Sequence, residues 1–294
     1  MAVPYLGSKR RNAGKIYQTI KNLNPESDLL VDLFCGGLAI SEFFLKQGWN
    51  IIANDKNQYV IALIKETIAG RFNDDVYTPE FITREKFNDV LQNKEKYDDW
   101  YVGFVMCIWS FGNNQKGYLF GKEVEPIKKA GHELVINKNP DLLLTLIPDI
   151  PQNYIDGILK QSDWHKRRIA LNRVSHKLMT RVLERLQQLE RLQQMEQLQR
   201  LELYSDDYIN IEIPKGSVVY CDPPYQGTAE YAEGGFNHKE FWSWVRRISK
   251  TNKVYISEYN APEDFKSVLS FSRNSTYAGG NNKNQPDEKL FVLS

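Results

Sequence analysis

The chain has 294 residues, 41% of them hydrophobic and 26% charged, with a net charge of +1. That is room for one large domain or two smaller ones, with the composition of an ordinary soluble globular protein. The charge balance excludes a globally basic protein, no apolar run is long enough to span a membrane, and the three cysteines (Cys35, Cys107, Cys221) are spaced for no zinc motif, so reduced thiols in a cytosolic protein and no bound metal are expected. The opening Met1-Ala2-Val3-Pro4 has no signal-like apolar core.

In chain order, Pro4-Tyr5-Leu6-Gly7-Ser8-Lys9 puts an aromatic ring, a glycine and a cation just before a predicted helix over about 12–23. Gly7 allows close backbone approach, and Lys9 offers a positive charge to a carboxylate or phosphate; a loop with solvated Lys and Arg would look the same. Leu29–Phe34 reads as a strand, Cys35-Gly36-Gly37 as a turn and Leu38–Leu45 as a helix. Strand, glycine turn and helix open a βαβ unit, in which the helix N-terminus can receive a ligand. A second strand over 49–55 ends in Asp55, placed as the ribose-binding acid is in nucleotide-binding sheets. The glycines do not form a pyrophosphate loop, so an adenosine ligand suits the pattern better than a dinucleotide; a plain crossover with a capping aspartate is the alternative.

A helix is expected over 58–69, a helix start at Thr78-Pro79-Glu80, and over 101–109 a helix or a buried strand, with helix favoured by length. Ser110–Tyr118 is rich in amides and glycine. Asn and Gln can pair with adenine edges and Lys with phosphate, which makes Asn114 and Lys116 candidates, although a polar turn has the same composition. Residues 122–150, with Pro126, Pro140 and Pro148, read as irregular. From Lys160 to Arg181 seven Lys/Arg face one acid, Asp163, so Lys166, Arg167 and Arg168 are candidates for a phosphate-facing surface rather than a merely solvated helix face. Residues 184–202 repeat with a period of six (Glu-Arg-Leu-Gln-Gln-Leu and two variants), a helix-forming composition whose apolar stripe drifts around the cylinder and so is no heptad coiled coil.

A strand is expected from Leu201, followed by Asp206-Asp207. The apolar Val218–Tyr220 leads to Cys221-Asp222-Pro223-Pro224-Tyr225, a strand stopped by two prolines. This turn holds a carboxylate, a carbonyl and an aromatic face together, a cluster suited to a planar base with an exocyclic amine. A loop over 226–237, a helix over 238–250, a strand over 252–257, a short helix over 262–269, a turn over 281–285 and a final strand over 288–293 complete the reading. Strand–helix alternation on both sides of a different middle segment implies one α/β sheet with a large insertion.

Together these motifs resemble the Dam-type (D12 class) DNA adenine-N6 methyltransferases. Tyr5-x-Gly7-x-Lys9, Phe34-Cys35-Gly36-Gly37, Asp55, the Ser110–Tyr118 region, Asp222-Pro223-Pro224-Tyr225 and the terminal Glu288-Lys289-Leu290-Phe291 fall in the family's order over about 1–120 and 201–294. Leu38 stands where the family carries a second glycine, and Tyr5 where Trp is common. The resemblance implies a Rossmann-like class I methyltransferase sheet built from 1–100 and 201–294, with a mainly helical target-recognition domain inserted at 101–200. It implies S-adenosylmethionine as cofactor, held by Tyr5, Lys9, Phe34, Gly36, Asp55, Asp207 and Asp222. It implies catalysis by Asp222, Pro223, Pro224 and Tyr225 on an adenine flipped out of duplex DNA, in a bacterial or phage-encoded protein with or without a companion restriction endonuclease. RNA adenine, a protein glutamine amide, or DNA binding by an inactive core are the other readings that these motifs allow.

Overall fold

Apolar runs ending at polar turns build a seven-stranded sheet. The computed structural model describes residues 2–73, 77–174, 181–225, 235–271 and 287–294. The elements are α1 (Ala13–Leu23), β1 (Leu29–Asp32), α2 (Ala39–Lys46), β2 (Asn50–Asn54), α3 (Gln58–Ile68), α4 (Arg84–Gln92), α5 (Asp99–Ile108), α6 (Glu125–Ile136), α7 (Asp141–Leu146), α8 (Gln152–Leu159), α9 (Trp164–Val174), α10 (Arg181–Gln193), β3 (Leu201–Tyr204), β4 (Val218–Cys221), α11 (His238–Ile248), β5 (Lys253–Glu258), β6 (Phe265–Phe271) and β7 (Glu288–Leu293). Sheet order is β3-β2-β1-β4-β5-β7-β6. The first five strands run parallel, and β7 runs antiparallel between β5 and β6. This is a doubly wound, Rossmann-like α/β sheet whose strand order reverses between β1 and β4.

The chain separates into two compact units. One comprises Gly7–Ile61 and Met195–Ser294 with Ala2, and holds the sheet; the other comprises Val3–Leu6 and Ala62–Gln194 and is helical. The division falls inside α3 and just after α10. In the sheet unit, Val31, Val219, Val254 and Ile256 alternate onto one face and pack against Phe241, Trp244 and Val245 of α11. Continuous apolar strands of this kind are what a sheet covered on both faces requires. Asn54, at the end of β2, ties three strand ends together. Its Nδ2 donates to Leu33 O (3.2 Å) and Asp206 O (3.0 Å), and its Oδ1 accepts from Asp206 N (3.0 Å).

Four expected elements differ. No helix starts at Thr78-Pro79-Glu80; α4 starts at Arg84, where Thr83 accepts from Lys86 N as a side-chain cap. Residues 122–150 are not irregular but carry α6 and α7, because Pro126 lies in the first turn of α6 and Pro140 caps α7, positions where the missing N–H costs nothing. Residues 262–269 are not a helix. Phe265–Phe271 forms edge strand β6, and its pattern is broken by a register shift between Ser267 and Leu269. The 184–202 repeat is not one helix either: α10 ends at Gln193 and Glu196–Arg200 is a short 3-10 turn leading into β3. Most of the expected 226–237 loop and the 281–285 turn lie outside the described residues.

Leu38 caps α2 in a left-handed conformation (φ 69°) and is fully buried. The conformation costs a non-glycine residue about 1–2 kcal/mol. Burying a leucine side chain returns about 1.5–3 kcal/mol, so this chain keeps the turn without the glycine.

Candidate active site

The carboxyl ends of β1, β2 and β4 each deliver a residue named by the motifs. After β1 come Phe34 and Gly36, after β2 Asp55, and after β4 Asp222. Ligands of doubly wound sheets bind outside these ends, at the point where strand order reverses.

Two prolines end β4 abruptly, and this fixes Asp222 as the first residue beyond the strand. Its two oxygens have separate partners. Lys9 Nζ lies 2.9 Å from Oδ2, and the Tyr225 hydroxyl donates to Oδ1 at 2.9 Å. Lys9 reaches this point from a turn in which Gly7 takes φ 76°, and it also donates to Gly7 O at 3.3 Å. Its ammonium stands 4.9 Å from the centre of the Tyr225 ring and 3.6 Å from Glu288 Oε1. Tyr225 packs edge-on to Tyr259 at 4.8 Å. Side chains of Lys9, Asp222 and Glu288 are 10%, 18% and 12% exposed, so the cluster is largely withdrawn from water.

Glu288 was not among the expected site residues. It reaches the site because β7 runs antiparallel, so its first residue lies beside the last residues of β5; Glu258 pairs with Lys289. Its signals in the sequence are a carboxylate opening an apolar run and its place in the terminal Glu288-Lys289-Leu290-Phe291 motif, to which no site role was attached. Burial opposes ionisation of Lys9, but Asp222 and Glu288 outweigh it and hold the lysine above its ordinary value. Burial pushes Glu288 up, with Lys9 pulling against it. The Tyr225 phenol is held far above its usual range by burial and by Asp222.

At the end of β2, Asp55 accepts from Gly36 N (2.8 Å) through Oδ2 and from Asn57 N (2.9 Å) through Oδ1. Gly36 has φ 47°, a conformation open to glycine, which brings its N–H onto the carboxylate. Phe34 is half-buried among Tyr208 (5.4 Å), Phe236 (5.8 Å) and Phe241 (6.0 Å). Asp207 caps the turn after β3 and pairs with exposed Lys56 at 3.3 Å. Tyr5 is half-buried and belongs to the segment grouped with the helical unit.

Asp32, the last residue of β1, was also missed, although an acid inside an apolar strand is a visible signal. Oδ2 accepts from Ser41 Oγ at 2.6 Å, while Oδ1 is buried without a hydrogen-bond partner. Burial, with the charges of Asp222 and Asp55, pushes its pKa up to about 7 from 3.8. A carboxyl raised in the folded state contributes stability at low pH that is lost as pH rises through its folded value, here between about 4 and about 7. Replacing Asp32 by Asn removes that loss. The urea midpoint of the variant is expected to match wild type near pH 4 and exceed it at pH 8 by an amount worth about 2–4 kcal/mol. Equal midpoints at pH 8 refute this.

The nucleic-acid candidates lie in the helical unit and fare differently. Arg167 and Arg168 are buried, not phosphate-facing. Arg167 donates to the carbonyls of Val135 (2.5 Å) and Gln161 (3.2 Å), and Arg168 to Glu184 (3.4 Å) and Gln187 (3.1 Å) on α10. Arg167 is taken up by backbone carbonyls of α6 and of the turn before α9, and Arg168 by side chains of α10, so the local charge count overstated the basic surface. Lys166 is exposed and paired with Asp163 at 3.1 Å. Asn114 is committed inside its own loop: Oδ1 accepts from Lys116 N and Gly117 N, both at 3.0 Å. Bidentate pairing with an adenine edge needs that oxygen. Lys116 is exposed. Among the described residues, no group of His, Cys, Asp and Glu is arranged to hold a metal ion.

A sheet that gathers Asp222-Pro223-Pro224-Tyr225, a lysine from the N-terminal turn and an acid after β2 at its carboxyl edge has the motif order noted in the sequence. The family model described as D12 class N6 adenine-specific DNA methyltransferase matches residues 5–244. That match takes in most of the chain and both the Lys9 and Asp222 motifs, and the sheet is that of a class I methyltransferase; the chain belongs to the D12 class of N6 adenine-specific DNA methyltransferases.

Proposed function

We propose that the protein transfers a methyl group from S-adenosylmethionine to N6 of an adenine flipped out of duplex DNA, with the cluster around Asp222 as the reaction centre. The observation that carries this is the Lys9–Asp222–Tyr225 arrangement at the end of β4.

The donor set fits the cofactor. Asp55 offers two coplanar oxygens, suited to a ribose diol, beside half-buried Phe34 and the Gly36 backbone. Asp55, Asp222 and Glu288 outnumber Lys9 at the carboxyl edge of the sheet, so a cationic ligand is favoured electrostatically. Tyr5, Lys9, Phe34, Gly36, Asp55, Asp207 and Asp222 are the residues assigned to it. When bound, the cofactor supplies an electrophilic methyl group on a sulfonium.

Adenine N6 is a weak nucleophile because its lone pair is delocalised into the ring. Asp222 and the Pro223 carbonyl accept its two N–H groups and favour the pyramidal geometry needed for attack, while Pro224 keeps the turn rigid. The contribution is positioning and electrostatics. The amine N–H takes the place that the Tyr225 hydroxyl holds on Asp222, which releases the Tyr225 ring to stack on the base. A base paired inside a duplex cannot reach this site, so it is extruded. The helical unit supplies the DNA contacts, with Lys116 and Lys166 as its exposed candidates and Asn114 as the shaper of the loop that carries Lys116.

The test is methyl transfer from labelled S-adenosylmethionine to unmethylated duplex DNA, with the product base identified by mass. N6-methyladenine in a fixed short context is the expected result. Cofactor binding with no label in duplex DNA, or label in RNA or protein only, overturns the proposal.

A further inference from the structure

We propose that Arg185, in the first copy of the six-residue repeat, is a positioning residue that sets the shape of the Ser110–Tyr118 loop and thereby the DNA context that is methylated. This rests on the reading of the helical unit as the DNA-reading part of the protein.

The six-residue repeat does more than form a helix. Its polar residues have distinct tasks. Glu184 and Gln187 hold Arg168, and Gln187 and Glu190 meet the two nitrogens of His165 at 3.2 and 3.4 Å, so this side of α10 locks α9. Arg185 faces α5 instead. One guanidinium nitrogen donates to Ile108 O at 2.5 Å and to Ser110 O at 2.9 Å. Ile108 ends α5, where carbonyls lack helical partners and the helix dipole is negative. Ser110 opens the loop. A single half-buried cation therefore joins the end of a rigid helix to the root of the loop, and burial lowers it only to about 10, so it stays charged at neutral pH.

Beyond that root the loop is closely specified. Phe111 N donates to Gly117 O (2.7 Å), Leu119 N to Trp109 O (2.8 Å) and Gln115 N to Ser110 Oγ (3.1 Å). Asn114 closes the tip through its Oδ1. Gly112, Asn113 and Gln115 take φ near 60°, a region that non-glycine residues rarely adopt unless the surroundings impose it. The loop presents Phe111, 62% exposed, and Lys116 outward. An exposed aromatic and a cation on a loop of fixed shape form a surface whose fit to a groove depends on how its root is held. Lysine has no planar fork and is the graded replacement; methionine removes the donors.

Wild type, Arg185→Lys and Arg185→Met are compared on a duplex library randomised around the methylated adenine. KM for duplex, kcat, S-adenosylmethionine affinity by calorimetry and amide exchange over 111–119 are measured alongside. Arg185→Met is expected to raise KM for duplex about tenfold and to broaden the methylated context, with faster exchange in the loop and unchanged kcat and cofactor affinity. Arg185→Lys is expected to fall between. If Arg185→Met does not fold, Arg185→Lys decides by the same measures. Faster loop exchange with wild-type context and KM overturns the inference and leaves the functional reading standing. A wild-type protein that binds cofactor and methylates no duplex overturns both.

Discussion

Asp222→Ala is expected to remove methyl transfer to duplex DNA while leaving duplex binding within a few-fold of wild type. In the proposed mechanism Asp222 accepts an N–H of the reacting amine, and losing a preorganised hydrogen-bond partner of the reacting group costs about 10²–10³ in rate. The loss should fall on kcat, because the interaction matters most as N6 gains charge in the transition state. Asp222→Asn is the informative companion. It keeps one acceptor oxygen and the shape of the turn but loses the charge facing Lys9, 2.9 Å away. Single-turnover methylation with equilibrium DNA binding measured in parallel checks both. Wild-type turnover in the alanine variant would remove Asp222 from the mechanism.

Lys9→Met is expected to lower stability as well as activity. Lys9 faces Asp222 and Glu288, and all three are largely buried. Removing the cation leaves two carboxylates near each other with little water. Breaking a buried pair from one side costs about 3–5 kcal/mol, and the partial exposure of this one brings the expectation to about 2–4 kcal/mol at pH 8. The sign of the pH dependence follows from Glu288, already raised by burial and then without the charge that pulls it down. A carboxyl raised in the folded state loses stability as pH rises through its folded value, so the variant should recover towards pH 5. Adding Glu288→Gln should restore much of the loss. Urea melts of wild type, both single variants and the double variant close the cycle. A double variant no more stable than Lys9→Met alone would mean that Glu288 does not share the charge.

The parts of this architecture that depend on local sequence were readable in advance. Leu29–Asp32 and Val218–Cys221 are apolar runs that only a covered parallel sheet accommodates, and the prolines after Asp222 end their strand wherever the rest of the chain goes. What could not be read depends on distant partners. Arg167 and Arg168 look like a basic face until the Val135 carbonyl of α6 is brought against the first and Glu184 and Gln187 of α10 against the second. Glu288 joins Lys9 only because the last strand enters the sheet reversed. The β6 strand was hidden because its register shift breaks the alternation that marks a strand. Asn114 has the right chemistry for a base edge, but the loop that carries it already uses its oxygen.

The sheet unit is discontinuous, and this bears on how the protein is made. Ile51 pairs with Leu201, and Leu30 with Val218, so the first two strands leave the ribosome long before their neighbours exist. At ordinary translation speeds of roughly 5–20 residues per second the wait is about 10–40 s. Residues 62–194 form one uninterrupted stretch of the helical unit and can fold during that interval, whereas β1 and β2 have only each other as strand partners, with α2 packed against them. The nascent chain therefore carries an unfinished sheet edge through most of its synthesis, and chaperone dependence should be felt first by the strands that were made first.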